Sequence, residues 1–282
     1  MTAFVPRRSV LYMPASNARA LEKARTIAAD ALIFDLEDAV APDAKEEARA
    51  QACAAVRSGA YGRRELTIRC NGLDTPWGRD DLAAACDAGP AAVVIPKVSG
   101  GAHLDEVAAL AGETRIWAMV ETPAAIFAAR EIAGHPGVDV LVLGTNDLAK
   151  ELRAALVPGR APLLPHLATA LLAAREAGKA ILDGVHNDVQ DLYGLQAECL
   201  QAAQMGFDGK TLVHPAQVEP ANRAFSPTVE EVEQAKRVIA AFEEAARKRR
   251  GVVTVDGRMI ENLHVDNARR VLASAEAIAR LA

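Results

Sequence analysis

The sequence is poor in aromatic residues and has no long apolar run. Aromatic side chains make up 4% of the 282 residues, against 51% hydrophobic and 24% charged. This composition is typical of an alanine-rich globular protein and excludes a disordered chain. No apolar stretch is long enough to span a membrane, and the N-terminus has no signal-peptide pattern. We therefore expect a cytoplasmic protein without membrane contacts.

Paired cysteines and a strong excess of positive charge are also missing. The four cysteines show no C-x-x-C spacing, which predicts reduced, buried thiols. The formal charge of −5 gives no general attraction to nucleic acid. The one basic cluster, residues 247–250, ends a helical pattern, where cations are favourable. We expect no nucleic-acid partner.

The chain does have short apolar runs that alternate with helical stretches. Eight runs occur, at residues 10–13, 31–34, 66–68, 92–95, 116–120, 140–143, 180–182 and 211–213. Nearly continuous β-rich runs indicate parallel strands buried on both faces, and eight of them predict a (β/α)8 TIM barrel. We place the barrel in residues 1–226 and a C-terminal extension in 227–282. A polar residue follows almost every run, where such barrels build their active sites.

Helix start signals follow most of the runs. The predicted helices cover residues 18–29, 42–56, 77–88, 102–111, 123–132, 164–177 and 189–205. The extension predicts a long amphipathic helix over 229–246, a hairpin or lid over 251–260 and a final helix from Asn262. We expect this extension to fold over the barrel mouth, to pack on a neighbouring subunit, or to do both.

Two acidic residues end neighbouring predicted strands. Glu121 follows the fifth run and Asp147 follows the sixth, so a closed barrel brings them together. Two carboxylates without nearby histidine or cysteine suit Mg2+ before Mn2+ or Ca2+. Gly144, Thr145 and Asn146 precede Asp147 and allow backbone N–H groups to approach a bound carboxylate. The alternative is that each acid only caps the next helix.

Arg69 ends the third run and offers a planar fork for a substrate carboxylate. An ion pair with Glu37 or Asp38, after the second run, is the structural alternative, and both can hold together. Glu37 and Asp38 form an acidic cluster with Asp35, and we expect at least one of the three to hold Arg69, Lys97 or metal-bound water. Glu37 and Asp38 are candidate catalytic residues together with Arg69. Lys97 raises the possibility of Schiff-base chemistry. Its acidic neighbours would keep it protonated, so a metal-dependent reaction is the better prediction.

Several ordered segments together resemble one enzyme family. The segments are RSVLYMP at 8–14, DLEDAVAP at 35–42, RCNG at 69–72, IPK at 95–97, GTNDL at 144–148, DG at 183–184 and GKTLVHP at 209–215. They resemble the citrate lyase beta-subunit-like branch of the HpcH/HpaI aldolase family, which includes malyl-CoA and citramalyl-CoA lyases. The resemblance implies Mg2+ at Glu121 and Asp147 and a substrate carboxylate at Arg69. It also implies cleavage of a 3-hydroxyacyl-CoA to acetyl-CoA and a 2-oxo acid.

The resemblance also assigns residues outside the metal site. Tyr12 and Lys23 match positions near the CoA of relatives. In related CoA lyases an adjacent subunit of a trimer supplies an aspartate from the lid, and this sequence has Glu261 there. The longer side chain moves the carboxylate by roughly an ångström or more, which slows a positioned proton transfer. A lid that needs a neighbour predicts a homotrimer or hexamer.

These features predict a Mg2+-dependent carbon–carbon lyase that acts on a malyl-CoA or citramalyl-CoA type substrate. An acyl-CoA thioesterase on the same scaffold is the first alternative, because Glu261 could favour added water. A citrate lyase beta subunit acting on an acyl carrier protein is the second. A non-catalytic CoA-ester binding protein is the third.

Overall fold

The computed structural model describes residues 4–248 and 253–281. Two compact units make up this part of the chain. The first spans Arg7–Phe225, and the second contains the described residues from Ser226 onward together with those before Arg7. Of the described residues, 4–6 thus group with the second unit, and the predicted division into a barrel over 1–226 and an extension over 227–282 stays a prediction. The first two residues of the predicted hairpin, Gly251 and Val252, and residues 249–250 of the basic cluster lie outside the described residues.

Eight parallel strands close into a barrel, which confirms the fold predicted from the apolar runs. Each strand pairs with the next in chain order, and the last pairs with the first through Lys210 and Ser9. The strands are β1 (Ser9–Pro14), β2 (Ala31–Asp35), β3 (Glu65–Arg69), β4 (Ala92–Ile95), β5 (Ile116–Val120), β6 (Val138–Leu143), β7 (Ala180–Asp183) and β8 (Gly209–Leu212). Every observed strand overlaps the predicted run.

Side chains alternate along each strand between the barrel interior and the surrounding helices. The interior cluster is apolar and includes Trp117, and a much larger cluster lies between the barrel and its helices. Continuing the alternation toward the carboxyl ends puts Tyr12, Asp35, Arg69 and Glu121 at the inner rim. The alternation of side chains along the strands therefore places polar residues at the mouth of the barrel.

Ten helices surround the strands in the described part of this unit. They are α1 (Ala18–Ala24), α2 (Lys45–Arg57), α3 (Gly78–Ala88), α4 (Gly101–Ala111), α5 (Pro123–Phe127), α6 (Ala129–Gly134), α7 (Thr145–Leu152), α8 (Leu164–Glu176), α9 (Leu192–Met205) and α10 (Val218–Ala224), with 3-10 turns at Pro42–Ala44 and Pro215–Gln217. Three departures from prediction stand out. Helix α1 ends five residues early, the helix predicted over 123–132 is split in two, and α7 was not predicted.

The second unit has a helix, a hairpin and a final helix, as the sequence predicts. Helix α11 (Val229–Arg247) begins at a capping box in which Thr228 and Glu231 bond each other's backbone N–H groups. Strands β9 (Val253–Val255) and β10 (Arg258–Ile260) pair antiparallel, and α12 (Asn262–Leu281) follows. Apolar side chains from all of these elements form one small core. No helix among the described residues combines the length and apolar character that crossing a bilayer requires.

Candidate active site

A cavity of about 350 Å3 lies at the carboxyl ends of the barrel strands. Its charged lining side chains are those of Asp35, Asp38, Arg69, Glu121 and Asp147. Glu121 and Asp147, which we predicted to converge, thus line the same cavity. Four carboxylates face one guanidinium in a small volume, and this balance favours a bound cation.

The Arg69 guanidinium is held on several sides. Its Nε and Nη2 atoms donate to the two carboxylate oxygens of Asp35 at 2.6 and 2.7 Å. Its Nη1 atom lies 2.8 Å from Glu37 Oε2 and 3.5 Å from Asp38 Oδ2. The predicted pairing with Glu37 or Asp38 is therefore present, but Asp35 is the bidentate partner. Among the described residues Nη2 donates only to Asp35, so its second hydrogen is available to a ligand.

Glu121 is almost completely buried and is held by main-chain groups. Its Oε1 accepts the Lys97 N–H at 2.7 Å, and Lys97 has a left-handed backbone with φ of 50°. A Cβ at Gly144 would lie 2.2 Å from Glu121 Oε2, so only glycine leaves room for this carboxylate. Burial, together with Glu37 and Asp147, raises the pKa of Glu121 to about 7 against the opposite effects of the Lys97 N–H and Arg69.

Asp147 lies in the first turn of α7, and Gly144 is the N-cap of that helix. The segment that we predicted as a carboxylate-binding loop is thus a helix start, where N–H groups and acidic side chains are both favourable. Thr145 and Asn146 also line the cavity. The Asn146 side-chain amide exchanges hydrogen bonds of 3.0 and 2.7 Å with that of Asn187. The helix-capping alternative for Asp147 therefore has a structural basis beside the metal hypothesis.

Glu37 lies between two cations. Its Oε2 faces Arg69, and its Oε1 accepts from Lys97 Nζ at 3.1 Å. Burial lowers the pKa of Lys97, but the Glu37 carboxylate outweighs it and raises that pKa above its ordinary value. A protonated Lys97 ammonium opposes Schiff-base formation, because the attacking amine must be neutral. Asp38 is exposed, and the catalytic roles predicted for Glu37 and Asp38 stay predictions.

A buried lysine supports the loop that carries Glu37. Lys45 Nζ donates to the carbonyl oxygens of Leu36 and Glu37 at 2.7 Å and to Asn71 Oδ1 at 2.8 Å. Asn71 in turn donates to Asp81. Lys45 was not among the site residues predicted from the sequence. Its tertiary role had no local signal.

Three other predicted site residues lie in different settings. Tyr12 lines the cavity, and Lys23 lies on the exposed side of α1. Glu261 lies between β10 and α12 in the second unit, where its N–H donates to His264 Nδ1 at 3.0 Å. The predicted contacts of these residues with CoA and with a neighbouring site stay predictions.

A second cavity of about 500 Å3 shares Thr145 and Asn146 with the first. At this cavity Arg160 Nη1 donates to both oxygens of Asp183 at 2.7 and 2.8 Å. Lys210 Nζ, which is fully buried, lies 2.8 Å from Asp183 Oδ2. Two cations thus satisfy the carboxylate that ends β7. Asp183 is therefore less available for a metal than the acids that follow β5 and β6.

The donor set of the first cavity fits Mg2+. Among the described residues, no group of three or more histidine, cysteine, aspartate or glutamate side chains is arranged to hold a metal alone. Mg2+ is commonly bound through one or two carboxylates, with water and substrate oxygens as the other ligands. Glu121 and Asp147 offer such a pair. Burial raises the pKa of Glu121, and a bound cation would offset the cost of its buried charge.

Two family models match this chain. The model described as HpcH/HpaI aldolase/citrate lyase matches residues 8–215. The model of C-C bond lyases of the TIM-barrel fold matches residues 163–279.

Individual proteins are similar over almost the full chain. A (3S)-malyl-CoA thioesterase of Cereibacter sphaeroides is 54% identical over 97% of this chain and 96% of its own length. The citrate lyase subunit beta of Escherichia coli is 35% identical over 96% of this chain and 93% of its own. A crystal structure of the CitE protein of Mycobacterium tuberculosis with magnesium, acetoacetate and coenzyme A has a TM-score of 0.78 and 31% identity. That match covers 98% of this chain and 99% of the CitE chain.

Proposed function

This chain belongs to the HpcH/HpaI aldolase/citrate lyase family, and on that basis we propose that it is a Mg2+-dependent thioesterase that hydrolyses a malyl-CoA type substrate. The observation that carries the proposal is the cavity in which Glu121, Asp147 and Arg69 meet. The 54% identity to a (3S)-malyl-CoA thioesterase supports this substrate class and reaction. The first alternative from the sequence thus becomes the leading proposal.

The cavity residues have distinct parts in this proposal. Glu121 and Asp147 would hold Mg2+, which when bound supplies a Lewis acid that orients the acyl carboxylate and hydroxyl oxygens. The Nη2 hydrogen of Arg69 that has no partner among the described residues would bind the substrate carboxylate, and Asp35 keeps the Nη2 atom in place. Lys97 fixes Glu121 through its main chain. Tyr12, which lines the cavity, and Lys23, on the exposed side of α1, are the proposed contacts of the CoA thioester.

Carbon–carbon cleavage is the second candidate. The similarity to citrate lyase beta subunits and the family description support it. Both reactions bind the same acyl head group and both place negative charge on the thioester carbonyl oxygen. We propose Glu261 as the group that favours added water over proton transfer to an enolate, and a homotrimer or hexamer in the cytoplasm as its setting.

A product assay separates the candidates. The purified protein is incubated with malyl-CoA, with and without Mg2+, and the products are separated by chromatography. Free CoA with malate supports the thioesterase, whereas acetyl-CoA with glyoxylate supports the lyase. The Glu121→Gln variant is the matched control and should lose the Mg2+-dependent product. Binding of the thioester without either product would support the non-catalytic alternative.

Glu261→Asp tests the proposed part of the lid. Restoring the shorter carboxylate should raise the ratio of acetyl-CoA to free CoA, because proton delivery to an enolate depends on reach. Glu230→Asp, an equivalent change at the exposed start of α11, should leave the ratio unaltered. An identical ratio in wild type and Glu261→Asp would contradict the part assigned to Glu261.

A further inference from the structure

Within the described part of the chain, the hydroxyl of Tyr12 has no oxygen or nitrogen hydrogen-bond partner. Among the described residues its one partner is Met119 Sδ at 4.0 Å, and a thioether sulfur is a weak acceptor. Tyrosine hydroxyl groups in protein interiors usually bond to an oxygen or nitrogen. The Tyr12 hydroxyl is therefore a donor that finds only a weak acceptor among the residues the structure describes.

Tyr12 lines the same cavity as Glu121 and Asp147. Tyr12 faces the barrel interior from β1, lines the cavity, and packs its ring 4.9 Å from the guanidinium carbon of Arg69. Met119 Sδ also lies 3.9 Å from Arg69 Nη1. The Tyr12 phenol and the Arg69 guanidinium therefore pack against each other and both contact the Met119 sulfur. A ligand that enters the cavity meets both.

The phenol keeps its proton in this setting. Burial raises the pKa of Tyr12, and the carboxylates of Asp35, Glu121 and Glu37 raise it further against the opposite effect of Arg69. A neutral phenol donates a hydrogen bond without adding charge to the cavity.

Arg69 and Tyr12 are suited to different oxygens of the substrate. Asp35, Glu37 and Asp38 use most of the Arg69 donors, and a guanidinium matches a carboxylate best. A single neutral O–H suits a carbonyl oxygen that is neutral at rest and gains charge during reaction.

We propose that the Tyr12 hydroxyl donates a hydrogen bond to the thioester carbonyl oxygen of the bound acyl-CoA and to the oxyanion that forms on it. This inference rests on the proposed thioester substrate. When water attacks, a C–O bond forms and the carbonyl π electrons move to the oxygen. The C=O bond then forms again, the C–S bond breaks, and the CoA sulfur leaves with a proton that originates from the water.

Tyr12→Phe tests this role because it removes only the hydroxyl and keeps the ring against Arg69. Removal of one oxyanion donor should lower kcat about 100-fold. Mg2+ affinity and Tm should stay near the wild-type values, because the lost group has only a weak protein partner. KM should rise by no more than about fivefold, as expected for one hydrogen bond to the substrate. Tyr193→Phe is the matched control, since the Tyr193 side chain is 89% exposed.

The outcomes separate Tyr12 from the proposed function. The products of the wild type identify the reaction, and the Tyr12→Phe rate tests the hydroxyl in whichever reaction occurs. In carbon–carbon cleavage the same carbonyl oxygen becomes the enolate oxygen. A Tyr12→Phe rate equal to wild type would overturn the inference. So would a parallel loss of Mg2+ affinity and Tm, because that would indicate a structural role.

An equilibrium measurement covers the case of a wild type that gives neither product. Succinyl-CoA has the thioester carbonyl but no hydroxyl at which carbon–carbon cleavage can begin. Its affinity for the Mg2+-loaded protein, by calorimetry, should fall about fivefold in Tyr12→Phe, as expected for one hydrogen bond. Equal affinities in wild type and variant would overturn the inference.

Discussion

Replacing Asp35 with asparagine tests the contact that orients Arg69. Asp35 is buried and accepts from two Arg69 nitrogens, and its oxygens also accept from the N–H groups of Glu37 at 2.9 Å and Ala39 at 3.2 Å. Asparagine has the same size but one oxygen fewer. Its NH2 group would face N–H donors, so at least one of these bonds is lost and Arg69 loses its main countercharge.

The expected loss of stability in Asp35→Asn follows from the burial of the ion pair. Removing one partner of a buried ion pair costs about 3–5 kcal/mol, because the other charge is left without compensation. Glu37 still contacts Arg69 Nη1 at 2.8 Å, so we expect the lower end, about 3 kcal/mol. At roughly 2–4 °C per kcal/mol for a domain of this size, Tm should fall by about 6–12 °C.

Thermal unfolding followed by circular dichroism measures this difference. Asp87→Asn is the matched control, because Asp87 also pairs with an arginine, Arg57, but both side chains are largely exposed. An exposed pair contributes about 1 kcal/mol or less, so Asp87→Asn should move Tm only slightly. If Asp35→Asn were no less stable than Asp87→Asn, the buried pair would not anchor Arg69 as argued. Turnover should fall in Asp35→Asn even at temperatures where the variant is fully folded.

Three further predictions concern the carboxylate that follows β5. Mg2+ at 100 times its Kd should stabilise the wild type by about 2.7 kcal/mol, which a thermal unfolding experiment detects as a higher Tm. Glu121→Gln should lose this increase in Tm, and an equal increase in the variant would mean that the metal binds elsewhere. Glu121 must lose its proton to bind a cation and has a pKa of about 7, so Mg2+ affinity should fall about tenfold per pH unit below 7 and level off above it. Calorimetric titrations on both sides of pH 7 check this, and a flat profile would contradict it. Gly144→Ala puts a methyl group against Glu121, so the free energy of unfolding should fall by about 1–3 kcal/mol, measured as a lower Tm, and Mg2+ should bind more weakly. Gly134 has open space around it, so Gly134→Ala should change neither Tm nor Mg2+ affinity.

The strands could be predicted because their signal is local. A buried parallel strand requires a continuous apolar run. In this barrel each strand pairs with the next in chain order, so the order of the runs also gives the order of the strands. Helix α1, in contrast, ends where it does because of contacts with a residue that is distant in the sequence. Arg64 donates to the carbonyl oxygens of Ala24, Arg25 and Ile27, about 40 positions earlier in the chain, and so holds the backbone in turns beyond the helix. The break between α5 and α6 at Ala128 has neither proline nor glycine to mark it.

The site could be predicted as a set of residues but not as a set of contacts. The ends of β5 and β6 indicate that Glu121 and Asp147 share one mouth. The bidentate partner of Arg69 could not be identified, because it depends on the register that places Asp35 directly opposite Arg69 on the neighbouring strand. One sequence carries no direct record of register. The buried role of Lys45 was missed for the same reason.

The bond from the Lys97 main chain to Glu121 sets which residues could replace that lysine during evolution. A peptide N–H is present in every amino acid except proline, so the hold on the carboxylate survives most side-chain changes. The left-handed backbone there is the stricter condition, since glycine, asparagine and aspartate adopt it readily and β-branched residues do not. Variation at this position should therefore follow backbone conformation rather than charge, with valine, isoleucine and proline absent.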